Sequence, residues 1–151
     1  MVPVFPSVQW FEEVAKIAMA DEGYRHFGRL DAIVGFIIGE TRISATFDVF
    51  DIKDIHEATL DELRDADFVL ELPYEGWVDL VNNIRENGKA DLHHSLNTLD
   101  LAREEPLARN LTADGYRLDK FFRYNASLQR FFDDSAQVST EIAPAPAAAQ
   151  R

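Results

Sequence analysis

The chain has 151 residues, of which 46% are hydrophobic and 28% charged, with a net charge of −12 and no cysteine. That length fits one domain with its own core, and the composition excludes a fibrous or wholly disordered class. An acidic balance with Lys and Arg scattered singly excludes nucleic acid and anionic lipid headgroups as partners, and the lack of thiols excludes disulfides, thiolate nucleophiles and cysteine-bearing zinc sites.

The opening MVPVFPSVQWFEEVAK has no charged n-region followed by an apolar run, so no secretory signal is expected. No stretch approaches the roughly 20 apolar residues that cross a bilayer. A cytoplasmic protein without integral membrane association is therefore expected, and the sequons at Asn110 and Asn125 read as chance matches.

After Ser7, a residue that caps free amides, Val8, Phe11, Val14, Ala15, Ala18 and Met19 recur at spacings of three and four. This predicts a helix ending near Asp21 to Gly23, with Trp10 beside the edge of its stripe. LDAIVGFIIG is apolar on both faces. TRISATFDVFDI alternates, with Ile43, Ala45, Phe47 and Val49 on one side, as in a half-solvated antiparallel strand, and Gly39-Glu40 suits the turn between the two. Lys53 to Asp65 reads as an irregular acidic connection with a capping box at Thr59 to Glu62. ADFVLELP predicts a third strand stopped by Pro73. YEGWVDLVNNIRENG predicts a helix that buries Trp77, Leu80, Val81 and Ile84 and closes at Gly88. ADLHHSLNTLDL reads as a fourth strand, AREEPLARNLTADG as a charged connection, and DKFFRYNASLQRFFDD as the final helix. There Leu118, Phe121, Phe122, Asn125, Leu128 and Phe132 form a stripe that Tyr124 and Phe131 widen beyond the usual arc of about 100°. Residues 1–134 are expected to form one domain, and the Ala/Pro-rich 135–151 a disordered tail. The order suits an α+β fold: a curved, antiparallel-rich sheet with helices on one face.

Little in this pattern carries covalent chemistry. His93-His94 offers imidazoles, but adjacent strand residues point to opposite faces and cannot share a site. DVFDIKDIHE collects carboxylates and one histidine, without the glycine or spacing of a calcium loop, so a solvated acidic connection is the simpler reading. Asp31, Asp67 and Glu71 lie on predicted strands, where a buried carboxylate could act as acid or base. Hydrolase elbows, phosphate-cradling loops and dinucleotide fingerprints are absent. No metal and no cofactor is expected. Apolar surface remains, above all on the final helix.

The opening helix with WFEEV, the strands AIVGFII and ISATFDVF, and ADFVLELPYEGWVDLVNN, a strand running directly into a helix with an aromatic near its start, resemble the sterol carrier protein type 2 family of lipid-binding domains. The likeness spans about Pro6 to Phe132. It implies a sheet with helices on one face enclosing a hydrophobic tunnel that binds sterols, fatty acids or acyl-CoA esters without covalent chemistry. This chain departs from the family pattern in lacking a glycine-containing turn after its fourth strand, and its Ala149-Gln150-Arg151 is not a peroxisomal address. On this resemblance the ligand-lining residues are expected to be Phe36, Ile38, Phe47, Phe68, Leu70, Trp77, Phe121, Phe122 and Leu128, with His94 and Asn125 as polar end contacts. The expected partner is a hydrophobic small molecule, with a homodimer or an enzyme partner left open. Two alternatives stand beside it: a small acid/base enzyme of isomerase or hydratase type using Asp67 or His94, and an interaction module that docks through the aromatic last helix.

Overall fold

The computed structural model describes residues 2–27, 29–102 and 106–144. Its sheet has five strands: β2 (Asp31–Ile38), β3 (Thr41–Asp48), β4 (Asp51–Glu57), β5 (Phe68–Leu72) and β6 (Ala108–Arg109) in the spatial order β4-β3-β2-β5-β6. Pairing is antiparallel except between β2 and β5. The parallel pair arises because the chain leaves β4 at the sheet edge and returns through a 3-10 turn, Glu62–Asp65, to lay β5 beside β2. As the capping box predicts, the Glu62 N–H donates to the Thr59 hydroxyl at 3.1 Å at the start of that turn.

Register puts Val34, Phe36 and Ile38 of β2 in line with Ala45 and Ile43 of β3 and with Phe68, Leu70 and Leu72 of β5, and this face carries the main core. The helices α1 (Val8–Ala20), α3 (Tyr74–Asn87) and α5 (Gly115–Asp133) bury their apolar stripes in the same core. The apolar second face of β2 is explained by the crossover: Leu63 packs with Ile37 and Val69 in a small separate cluster. Gly35 is the close approach that allows it, since a Cβ there would lie 2.7 Å from Leu63 Cδ2.

Several local expectations are corrected. The acidic connection after Asp48 is largely the edge strand β4, in which Ile52 alone is buried. Its charges face water at an edge, where they also discourage pairing with other chains, and so the apolar alternation is missing. The expected fourth strand over 90–101 is a turn followed by α4 (Leu96–Ala102). Asp91 accepts the N–H groups of His93 at 2.9 Å and His94 at 3.0 Å, and Ser95 accepts that of Thr98 at 3.1 Å, so short polar side chains take the amides a strand would have paired. The pairing role falls to β6, inside the presumed charged connection.

Trp10 is fully buried rather than at a stripe edge. It is covered by chain beyond α5: a 3-10 turn (Asp134–Gln137) leads to β7 (Glu141–Ile142), which pairs in parallel with β1 (Val4–Phe5). Packing therefore continues past residue 134, with Ser135 and Val138 buried, while residues 145–151 of the expected tail lie outside those described. The short helix α2 (Glu22–His26) follows α1, capped by Asp21, whose carboxylate accepts the Gly23 N–H at 2.9 Å.

Candidate functional site: the aromatic interior beneath a kinked helix

Helix α5 starts at Asp114, whose carboxylate accepts the N–H groups of Tyr116 and Arg117 at 3.0 and 3.2 Å. It is broken in phase at Tyr124, which has φ −119° and ψ 16°. Just past the break, Asn125 Nδ2 donates to the Phe122 carbonyl at 3.2 Å. The phase shift changes the buried set from the uniform stripe expected to Phe121, Ser127, Leu128, Phe131 and Phe132. Phe122, expected on the stripe, is consequently 51% exposed, and Phe131 is fully buried.

Phe132 stands at the centre of the interior. Its ring centroid lies 5.6 Å from those of Phe36 and Trp77, 5.4 Å from Phe131 and 6.3 Å from Phe11. Phe131 stands edge-on to Phe47 at 5.4 Å, and Phe121 edge-on to Phe68 at 5.7 Å. Edge-to-face pairs of this kind contribute about 0.5–1.5 kcal/mol each beyond area burial. Trp77 is held in place by its indole N–H, which donates to the Ile37 carbonyl at 2.8 Å.

Eight of the expected lining residues, Phe36, Ile38, Phe47, Phe68, Leu70, Trp77, Phe121 and Leu128, thus sit in one core cluster between sheet and helices, where their rings pack on one another. Phe131, Phe132, Trp10 and Phe11 join them and were not among the expected residues. The doubled Phe131-Phe132 was the available signal, readable only with the phase of α5 beyond the kink. Three expected residues lie elsewhere. Phe122 is half exposed at the margin of the cluster, its ring centroid 5.4 Å from that of Phe121. Asn125 lines a surface cleft of about 410 Å³ together with Phe27, Ser95 and Gln129. His94 is in the 91–95 turn, not on a strand, with Nδ1 2.7 Å from Asp91 Oδ1 and Nε2 2.8 Å from Asp79 Oδ2, contacts that raise its pKa above the usual histidine value.

The remaining candidate acids and bases are tied into structure. Asp67, on the loop into β5, accepts the Ile33 N–H at 2.8 Å and pairs with Arg117 at 3.2 Å and Lys120 at 3.4 Å. His56, on β4, is bonded through Nε2 to Glu62 and through Nδ1 to the Asp54 carbonyl at 2.8 Å, which likewise raises its pKa. Glu71 pairs with Arg109. Among the described residues, no group of three or more histidines and carboxylates is arranged to hold a metal ion, and no helix is long and apolar enough to cross a membrane.

Among solved structures, a crystal structure of sterol carrier protein 2 superposes with a TM-score of 0.58 over 86% of this chain and 95% of that one. The chain has the fold of sterol carrier protein 2. The two are 12% identical, so the likeness is one of fold, an α+β arrangement with a mostly antiparallel five-stranded sheet. No family model matches the sequence, and neither does any curated protein.

Proposed function

We propose that this protein binds a hydrophobic small molecule, a lipid, steroid, fatty acid or acyl thioester, and carries or presents it in the cytoplasm. The observation that carries the reading is the aromatic layer between the sheet and α5 within a fold shared with sterol carrier protein 2. A carrier needs an apolar, shaped interior with few polar anchors. The proposed ligand-contacting residues are those of this layer, with Phe36, Phe68, Trp77, Phe121 and Leu128 foremost. Because the rings pack on one another, a ligand would enter by displacing the part of α5 that precedes the break at Tyr124, where Phe122 and Tyr116 are already exposed. A ligand that hides roughly 300 Å² of apolar surface gains about 7–8 kcal/mol at 25 cal/mol per Å², which sets micromolar binding as the upper range before the opening cost is subtracted.

The test is displacement of a fluorescent fatty acid, with native mass spectrometry of the purified chain. Saturable binding and an adduct mass support the proposal. Neither one, across sterols, fatty acids and acyl thioesters, overturns it.

A second reading, docking of another protein on α5, is favoured by the exposure of Tyr116 (94%) and Phe122 (51%). Light scattering after size exclusion separates a homodimer from a monomer. The acid/base reading has less to support it, since Asp67 and His94 already have charged partners.

A further inference from the structure

The C-terminal end of α5 places two acids against one base. Arg130 forms a two-point fork on Asp21, with Nε 2.6 Å from Oδ2 and Nη2 3.1 Å from Oδ1. The fit is close: a Cβ on Gly23 would lie 2.3 Å from Arg130 Nη2, so glycine is what lets the guanidinium rest on the first turn of α2. Asp134, only 3% exposed, has Oδ1 3.7 Å from the same Nε, while its Oδ2 receives no donor among the described residues. The hydroxyl of Tyr24, 1% exposed, is also without a partner among them, and it lies within the field of Asp134.

One guanidinium therefore serves two carboxyl groups. Asp133 adds a third acid at the next position, itself accepting the Ala90 N–H and the Gln129 amide at 2.9 Å each. α1 and α3 pack against the 3-10 turn that holds Asp134, and their buried residues, among them Val14, Ala18, Trp77 and Leu80, carry no charge. Lys16 of α1, which lines a surface cleft with Asp21, Glu22 and Gln137, is paired with Glu13 at 2.8 Å. An ionised Asp134 in this setting is a desolvated, undercompensated charge.

We infer that Asp134, Asp21 and Arg130 form a proton-operated latch between the α1–α2 junction and the C-terminal end of α5, closed while Asp134 is neutral and Arg130 serves Asp21 alone, and loosened when Asp134 ionises and competes for the guanidinium. Burial, with the Asp21 carboxylate beside it, pushes Asp134 up to about 7. Hydrogen bonding from Arg130 holds Asp21 down to about 2, so the mobile proton near neutrality belongs to Asp134. An acid whose folded pKa is raised keeps its proton better folded than unfolded. The latch is therefore complete below the ordinary value of 3.8, weakens as pH rises, and has lost its contribution above about 7. Loosening acts on the nearby cleft, because Phe27 at the end of α2 and Gln129 and Arg130 of α5 line it together. This inference stands whether or not the protein carries a lipid.

The test uses the full chain, with hydrogen exchange of the α2 segment corrected for base catalysis between about pH 6 and about pH 8, and carboxyl NMR of Asp134. Expected are an Asp134 midpoint near 7, loss of α2 protection over the same range, and flat protection in Asp134→Asn. Asp21→Asn removes the like charge and frees Arg130 for Asp134, so it moves the midpoint down, and it keeps the test open should Asp134→Asn fail to fold. Constant α2 protection across the range, the same change in Asp134→Asn, or a midpoint that does not fall in Asp21→Asn overturns the latch.

Discussion

The indole N–H of Trp10 donates to the Thr140 hydroxyl at 3.0 Å, a buried bond that joins the first helix to a segment 130 residues later. The Thr140 O–H in turn donates to the Val138 carbonyl at 3.1 Å, so one side chain satisfies two buried groups. Thr140→Val keeps the shape and strands both. It is expected to cost about 1–3 kcal/mol in urea unfolding with an unchanged m-value, whereas Thr140→Ser stays close to the parent. A loss under about 0.5 kcal/mol would mean that the segment beyond α5 does not contribute to the fold.

The break at Tyr124 leaves the Phe121-Phe122 pair split between core and surface and the Phe131-Phe132 pair wholly buried. Phe131→Ala removes a fully buried ring that touches Phe47 and Phe11 and should cost about 3–5 kcal/mol. Phe122→Ala removes a ring that is 51% exposed, and a cost below about 1 kcal/mol is expected from denaturation midpoints. Equal costs would argue for an unbroken helix with the uniform stripe.

That contrast marks what the sequence could and could not convey. The β2–β3 hairpin, β5, α3 with its Gly88 cap and most of the aromatic interior were legible, because apolar period and capping residues dictate them locally. The faces of Phe68 and Trp77 are marked this way, whereas Phe36, in a strand apolar on both faces, is expected on the family resemblance. Edge strand β4 was hidden, since Asp51, Lys53, Asp54 and Glu57 carry no apolar alternation. The turn at Asp91 imitated a strand because the side-chain capture of two amides leaves no trace in hydropathy. Phase inside α5 was lost because a single residue with non-helical torsions, Tyr124, resets it. Trp10 is buried among Phe5, Phe11 and Phe132 and bonded to Thr140, contacts largely too distant in sequence for any local pattern.

Asp67 anchors three elements: β2 through the Ile33 N–H and α5 through Arg117 and Lys120, all from the loop that enters β5. Asp67→Asn retains an acceptor for Ile33 and removes the charge that both cations face. A loss of about 2 kcal/mol is expected, discounted because Arg117 and Lys120 are about one-third exposed at 34% and 31%. Chemical denaturation checks it. An unchanged stability would assign the pairing to the solvated surface.

His94 lies between the carboxylates of Asp91 and Asp79, which raise its folded pKa above the unfolded value of 6.5. A proton held more tightly in the folded state stabilises it. The contribution is fully present below the unfolded value and disappears as pH rises through the raised folded value. Unfolding midpoints followed from mildly acidic to alkaline pH should therefore fall more in the parent than in His94→Gln. Parallel curves for the two proteins would remove His94 as the source.

Gly35 offers a test of the crossover that sets the parallel β2–β5 pair. An added Cβ would meet Leu63 Cδ2 at 2.7 Å and Val69 Cγ1 at 2.8 Å. Val69 belongs to the neighbouring strand and is stiff at χ1, so Leu63 on the 3-10 turn is the side that must give. Gly35→Ala is expected to cost about 1–3 kcal/mol by overpacking. Leu63→Ala alone opens a void at a residue that is 1% exposed and costs about 2–5 kcal/mol. In the double variant the new methyl occupies part of that void, so the combined loss should be smaller than the sum of the single losses by at least about 0.5 kcal/mol. Strict additivity would mean that the turn does not pack on β2.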